Sequence, residues 1–335
     1  MPVGNLFRRA IRTGYLCATS CRQNRILLAS LSTQTKNKLD LAGIFPPITT
    51  PFNADETIAF DKLEKNLSLW KNIPFKGYTL MGSNGEYVFL SLEERLDIVQ
   101  KVISLTKGDD KIIMVGTGCE STQATIKFTN QIASVGADTA LVVTPCYYKG
   151  GMSNSALIQH YRKVADNSLI PILLYSVPSN TSIDLAEDVI IQLADHPNII
   201  GLKDSGGNIA KLSNIIFATK NKDFQVLAGS ASFLYPALMA GCVGGVCALA
   251  NVLGKDVCNL QSLFEKGLHS SAIDLQLRLV APNQAVTAKY GIPGLKVAME
   301  WFGFYGGHPR SPLQPLTEEQ ALKMKEDFTT RNFMQ

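Results

Sequence analysis

The sequence predicts a (β/α)8 barrel with a C-terminal helical extension, on three observations. Short apolar runs alternate with helix-period patterns eight times between about residues 42 and 266. The rival, a doubly wound open sheet, usually carries a glycine-rich phosphate fingerprint after its first strand, and none occurs here. The polar residues that could do chemistry collect just after the apolar runs, where barrel enzymes place function. A chain of 335 residues, 46% hydrophobic and 18% charged, is the size of one such domain.

The elements follow in order. Ala42 to Thr49 is an apolar run ending in prolines and threonines, a first strand, and Phe60 to Lys71 has helical spacing. Gly77 to Met81 is a second strand running into Gly82, Ser83, Asn84, Gly85 and Glu86. Ser91 with Glu94 three residues on forms a capping box, and Leu92, Leu96, Val99 and Ile103 are expected to line the buried face of the helix it opens. Strands then fall at Lys111–Val115, Thr139–Val143, Pro171–Tyr175, Ile199–Lys203, Gln225–Ala228 and Val246–Leu249. Helices are expected at Ser121–Ser134, near Ser155–Ala165, Leu185–Ala194, Ile209–Thr219, near Leu234–Ala240 and Lys255–Lys266. The tail from Ala272 onward reads as further helices of the same domain, one capped by Thr317 with Gln320.

Charge is unevenly spread. Residues 1 to 39 hold seven basic side chains and no acidic one, so that of the net +4 a balance of −3 is left to the remainder. No basic field therefore argues for nucleic acid or an anionic membrane as partner. Residues 1–35, rich in Arg, Ser, Thr, Leu and Ala without an apolar block, have the composition of a mitochondrial transit peptide, which places the domain of residues 36–335 in the matrix. Seven cysteines without a C-x-x-C pair fit a reducing compartment; the five beyond the leader sit in apolar strand or helix contexts, as buried free cysteines do, and four scattered histidines show no metal-ligand spacing. Phe233 to Gly254 is uncharged over a membrane-spanning length, but Pro236, Gly241, Gly244 and Gly245 break it into a buried helix, a turn and a strand.

Within Ile199–Gly207, Lys203 stands where a buried strand should hold an apolar residue. A buried, unpaired ammonium tends to shed its proton, and the neutral amine attacks carbonyls to form a Schiff base. The alternative is a solvated strand-end lysine paired with Asp204. Around it, at other strand ends, lie Ser83, Asn84, Tyr147, Tyr175, Gly229 and Ser230. Hydroxyls converging on one lysine suit imine chemistry; the paired acids of a glycosidase and the cation clamp of phosphoryl transfer are missing from that set.

The segments G-S-N-G-E (Gly82–Glu86), V-T-P-C-Y-Y (Val143–Tyr148), Y-S-V-P-S-N-T (Tyr175–Thr181) and G-L-K-D-S-G (Gly201–Gly206) occur in that order. In this they resemble the N-acetylneuraminate lyase and dihydrodipicolinate synthase superfamily of class I aldolases, over about residues 40 to 330. The resemblance implies a barrel enzyme that acts on a small 2-oxo acid without cofactor or metal. It implies Lys203 as the Schiff-base lysine, Tyr175 as proton shuttle, and Ser83 with Asn84 as the carboxylate seat. Tyr147 becomes a relay residue reaching across a subunit interface of a homotetramer built from dimers. Ser205, Gly229, Ser230 and Asn180 complete the substrate pocket, Gly85 and Glu86 are structural, and Cys146 is an apolar filler. The leader and G-I-P-G-L-K-V-A-M-E-W-F-G (Gly291–Gly303) add similarity to mitochondrial members that cleave 4-hydroxy-2-oxoglutarate to pyruvate and glyoxylate. Another pyruvate-dependent lyase or synthase, or a silent keto-acid binder, is the alternative. Synthases of the superfamily carry arginine where this chain has Asn180, a departure that disfavours their reaction.

Overall fold

The computed structural model describes residues 39–334, so the transit-peptide expectation for residues 1–35 lies outside the described residues. Eight parallel strands form the predicted barrel: β1 (Gly43–Phe45), β2 (Gly77–Leu80), β3 (Ile112–Gly116), β4 (Thr139–Val143), β5 (Ile172–Ser176), β6 (Ile199–Asp204), β7 (Gln225–Ala228) and β8 (Gly244–Val246). From β2 to β8 each strand pairs with its sequence neighbour, and β8 pairs with β1. The seam between β1 and β2 closes just beyond β1, where Ile48 N–H donates to Thr79 O and Thr79 N–H to Pro46 O, each at 3.0 Å.

Helices cover the outside: α1 (Phe60–Trp70), α2 (Leu92–Leu105), α3 (Thr122–Ser134), α4 (Asn154–Asn167), α5 (Glu187–Leu193), α6 (Ile209–Thr219), α7 (Leu234–Ala240) and α8 (Gly254–Glu265). Their starts are chemically marked. Ser91 and Glu94 complete the capping box of α2, and Ser121, Ser153 and Asn208 accept backbone N–H groups at the starts of α3, α4 and α6. The tail contributes α9 (His269–Gln284), a π-helical turn (Ala285–Lys289), α10 (Gly291–Trp301) and α11 (Glu318–Thr329), the last opened by the Thr317–Gln320 capping box. Barrel and tail form one compact unit. Trp70 of α1 stacks on Phe304 of the tail at 5.4 Å and donates its indole N–H to Asn251 O at 3.0 Å.

Three sequence expectations are corrected. The eighth strand begins at Gly244 rather than Val246, because a side chain there would put Cβ 2.0 Å from Gly43 O, and two bare backbones are what lets β8 reach β1. The buried face of α2 is Ile98, Val99 and Val102, whereas Leu92 in the first turn is exposed. Of the five described cysteines only Cys242 and Cys247 are buried, and all five are free thiols. The 233–254 stretch is helix, left-handed turn at Gly241, then strand, and among the described residues no helix is long and apolar enough to cross a membrane.

His160 of α4 is buried between α3 and α4, its Nδ1 within 2.9 Å of Thr122 Oγ1. Burial, opposed weakly by Glu120, pulls its pKa from 6.5 down to about 4. The native state thus resists protonation that the unfolded chain accepts, so stability present above pH 6.5 is lost as pH falls toward 4, by about 3 kcal/mol in all. Denaturant melts of wild type and His160→Gln across that window should diverge, the wild type losing stability more steeply; parallel curves would rule this out.

Candidate active site

The strand register builds the site. Val143 of β4 lies beside Tyr175 of β5, Tyr175 beside Lys203 of β6, and Lys203 beside Leu227 of β7, one level across four strands near their C-terminal ends. Lys203 is 3% exposed, its amine 4.1 Å from the centre of the Tyr175 ring. Among the described residues no carboxylate pairs with it. Its neighbour Asp204 is fully buried but serves the other face of the strand: one carboxylate oxygen takes Lys211 Nζ of α6 at 3.2 Å and the other the Gly206 N–H at 2.8 Å. Lys211 also meets Asp184, which accepts from Ser176 Oγ at 3.1 Å. The Lys203–Asp204 pair of the alternative reading is thereby excluded, since successive strand side chains point to opposite faces.

Tyr175 is the hub. Its hydroxyl lies 3.5 Å from Ser83 Oγ. Burial pushes its pKa up, but the Lys203 charge and the polar side chains of Ser83, Lys203 and Ser205 outweigh it and hold the phenol below its ordinary value. Tyr87, lining the same cleft, is instead pushed up to about 12 by burial. The cleft is walled by Met81, Gly82, Tyr87, Gly118, Val143 and Tyr175. Gly118 leaves it open, for a Cβ there would lie 2.6 Å from Val143.

Ser83 and Asn84 sit in a single 3-10 turn, Ser83–Gly85, directly after β2. Gly229 follows β7, its N–H bonded to Asp204 O at 2.7 Å and its α-carbon so close to Ser205 that a side chain would collide. Ser230 caps the next turn and accepts from Asn283 Nδ2 of α9 at 2.8 Å. Lys203, Tyr175, Ser83, Ser205 and Gly229 are thus one constellation, with Asn84 and Ser230 on its rim. Two predicted residues stand apart. Asn180 is exposed on the one-turn helix Pro178–Thr181 and accepts only from Ser179. Tyr147 is 77% exposed, edge-on to Tyr148.

Sequence reasoning missed Glu120, whose carboxylate accepts the backbone N–H groups of Cys146 and Tyr147 at 3.0 and 2.9 Å and so shapes the loop that displays Tyr147. Nothing in its local sequence marks it. Cys146, expected as apolar filler, is half-buried with its thiol 3.6 Å from the same carboxylate. Among the described residues no cluster of His, Cys, Asp and Glu could hold a metal. The arrangement, a buried amine beside an acidified phenol and two hydroxyls, can add to a carbonyl and move protons around it.

Residues 40–331 match the family model described as the dihydrodipicolinate synthetase family. A 4-hydroxy-tetrahydrodipicolinate synthase of Methanothrix thermoacetophila is 33% identical over 86% of this chain and 96% of its own. A protein of Emericella nidulans named as a probable mitochondrial 4-hydroxy-2-oxoglutarate aldolase is 32% identical over 88% of this chain and 96% of its own. Among solved structures, YagE, a prophage protein of Escherichia coli K12 belonging to the dihydrodipicolinic acid synthase family and solved with pyruvate, superposes with a TM-score of 0.83 at 27% identity, covering 88% of this chain and all of that one.

A tyrosinate absorbance titration tests the hub. One tyrosine should ionise below 10.0, disappear from the curve in Tyr175→Phe, and move upward in Lys203→Met, where the nearby positive charge is lost. A curve unchanged by either substitution would remove Tyr175 as proton carrier.

Proposed function

The chain belongs to the dihydrodipicolinate synthetase family, and within it we propose a metal-independent class I aldolase that cleaves 4-hydroxy-2-oxoglutarate to pyruvate and glyoxylate. The observation that carries the reading is the buried amine of Lys203, free of any carboxylate among the described residues and packed against the Tyr175 ring. The Lys203 amine, its proton passed to the Tyr175 phenolate, attacks C2 of the 2-oxo acid. Tyr175, with Ser83 on its hydroxyl, delivers the proton that lets the carbinolamine expel water, giving an iminium. Removal of the C4 hydroxyl proton then sends the C3–C4 bonding pair into the iminium. Glyoxylate leaves, the remaining enamine is protonated at C3, and hydrolysis returns pyruvate and the free amine. The Ser83–Gly85 turn seats the C1 carboxylate, and Ser205 and Gly229 line the far side.

The pyruvate bound to YagE and the aldolase name of the Emericella relative support this substrate class. The second reading, synthesis of 4-hydroxy-tetrahydrodipicolinate, is favoured by the Methanothrix relative's name. Against it stands Asn180, a short neutral side chain at the site of the synthases' arginine. Tyr147, with its side chain exposed, fits a residue lent to a neighbour in a homotetramer.

Borohydride added with pyruvate should reduce an adduct onto Lys203, and Lys203→Arg should abolish the label and lower glyoxylate release by at least about a thousandfold. Absence of the adduct sinks the aldolase reading; an adduct without glyoxylate release leaves the synthase. Coexpressing Tyr147→Phe with Lys203→Arg chains should yield hybrids more active than either homo-oligomer, and failure to do so would confine Tyr147 to its own subunit.

A further inference from the structure

The Gly291–Gly303 segment supplies nothing to the cleft, yet it carries a charged side chain sealed from water. Lys296 of α10 is 1% exposed. Its amine meets Glu86 at 2.7 Å, the carbonyls of Thr50 and His308 at 2.9 Å each, and the face of Phe52 at 4.5 Å. The second Glu86 oxygen accepts the Arg310 N–H at 2.8 Å, and the Arg310 guanidinium forks onto Glu94 at 2.8 and 2.7 Å and reaches the carbonyls of Phe89 and Glu56. Gly306 makes the approach possible, since a Cβ there would lie 1.9 Å from Lys296 O.

A buried ion pair is a poor way to gain stability, because desolvation offsets most of the attraction. This one is placed on a loop that needs holding. Glu86 has a left-handed backbone, φ 55°, which a side-chain-bearing residue adopts at a cost. In that conformation its N–H closes the turn onto Ser83 O at 3.1 Å. Thr50, whose carbonyl holds the Lys296 amine, donates its hydroxyl to Gly85 O at 2.7 Å. Two of the residues that hold Lys296, Glu86 and Thr50, are therefore also residues that clamp the Ser83–Gly85 turn.

We propose that Lys296 is a positioning residue for substrate binding: through Glu86 and Thr50 it holds the turn that presents Ser83 to Tyr175 and seats the 2-oxo acid's carboxylate. The inference rests on the aldolase reading. It makes the C-terminal extension a part of the binding site's framework, although none of its side chains enters the cleft.

The test reads the pyruvate concentration that half-saturates borohydride labelling of Lys203, alongside thermal melting, in full-length wild type, Glu86→Gln/Lys296→Met and Thr50→Val. The double variant leaves neither charge buried alone, so it should melt near wild type. Its half-saturation should nevertheless rise about tenfold or more while labelling at saturating pyruvate persists, a split that a purely structural role would not produce. Thr50→Val, missing one hydrogen bond to the turn, should raise it about fivefold. Unchanged half-saturation in the folded variants overturns the proposal, and Thr50→Val decides alone if the double variant does not fold. An unlabelled wild type would bring down the aldolase reading itself, whereas a labelled wild type with unaffected variants brings down only the role of Lys296.

Discussion

The site depends on one consequence of strand geometry: neighbouring side chains on β6 leave by opposite faces. Lys203 points into the barrel and Asp204 out of it, toward α6. The outward carboxylate is neutralised by Lys211 and tied by the Gly206 N–H. The inward amine is therefore left without a counter-ion from its own strand and meets the Tyr175 ring instead. Removing one partner from a buried pair such as Asp204–Lys211 costs roughly 3–5 kcal/mol. The outer face thus pins the end of β6 while the inner face keeps an amine without a counter-ion from its own strand.

The same division runs through the loops. The hydroxyls of the candidate site sit on short turns, and each turn is held from elsewhere in the chain. The turn after β2 is held by Thr50, Lys296 and Arg310. That after β7 is held by Gln276 and Asn283 of α9, which bond Ala231 O, Ser232 O and Ser230 Oγ. The loop after β4 is held by Glu120. Two of the three supports come from the tail, which is why barrel and tail form a single unit. Precise placement of a reacting group requires such outer support, since misplacement by an ångström is costly to rate.

Much of this was legible in the sequence. Alternation of strand and helix periods identified the barrel, because each period is imposed locally by backbone geometry. The capping boxes at Ser91 and Thr317 were readable for the same reason: a cap and its partner lie three residues apart. Lys203, Tyr175 and Ser83 were legible because each ends a strand, and barrel topology brings strand ends together. Boundaries were less so. Gly244 looked like a turn because glycine's usual meaning is local, whereas here it serves a contact with Gly43 two hundred residues away.

By itself, then, the sequence determined the order of elements, the barrel, and the lysine and hydroxyls at its mouth, all properties of short segments and their succession. Only the tertiary structure decided which charge answers which. It sent Asp204 to Lys211, Glu120 to the Tyr147 loop and Glu86 to Lys296, and it left Asn180 and Tyr147 on the surface. Pairings of that kind depend on which distant groups share a buried space too dry to leave a charge alone. That space exists only once the barrel has closed and the tail has packed on it.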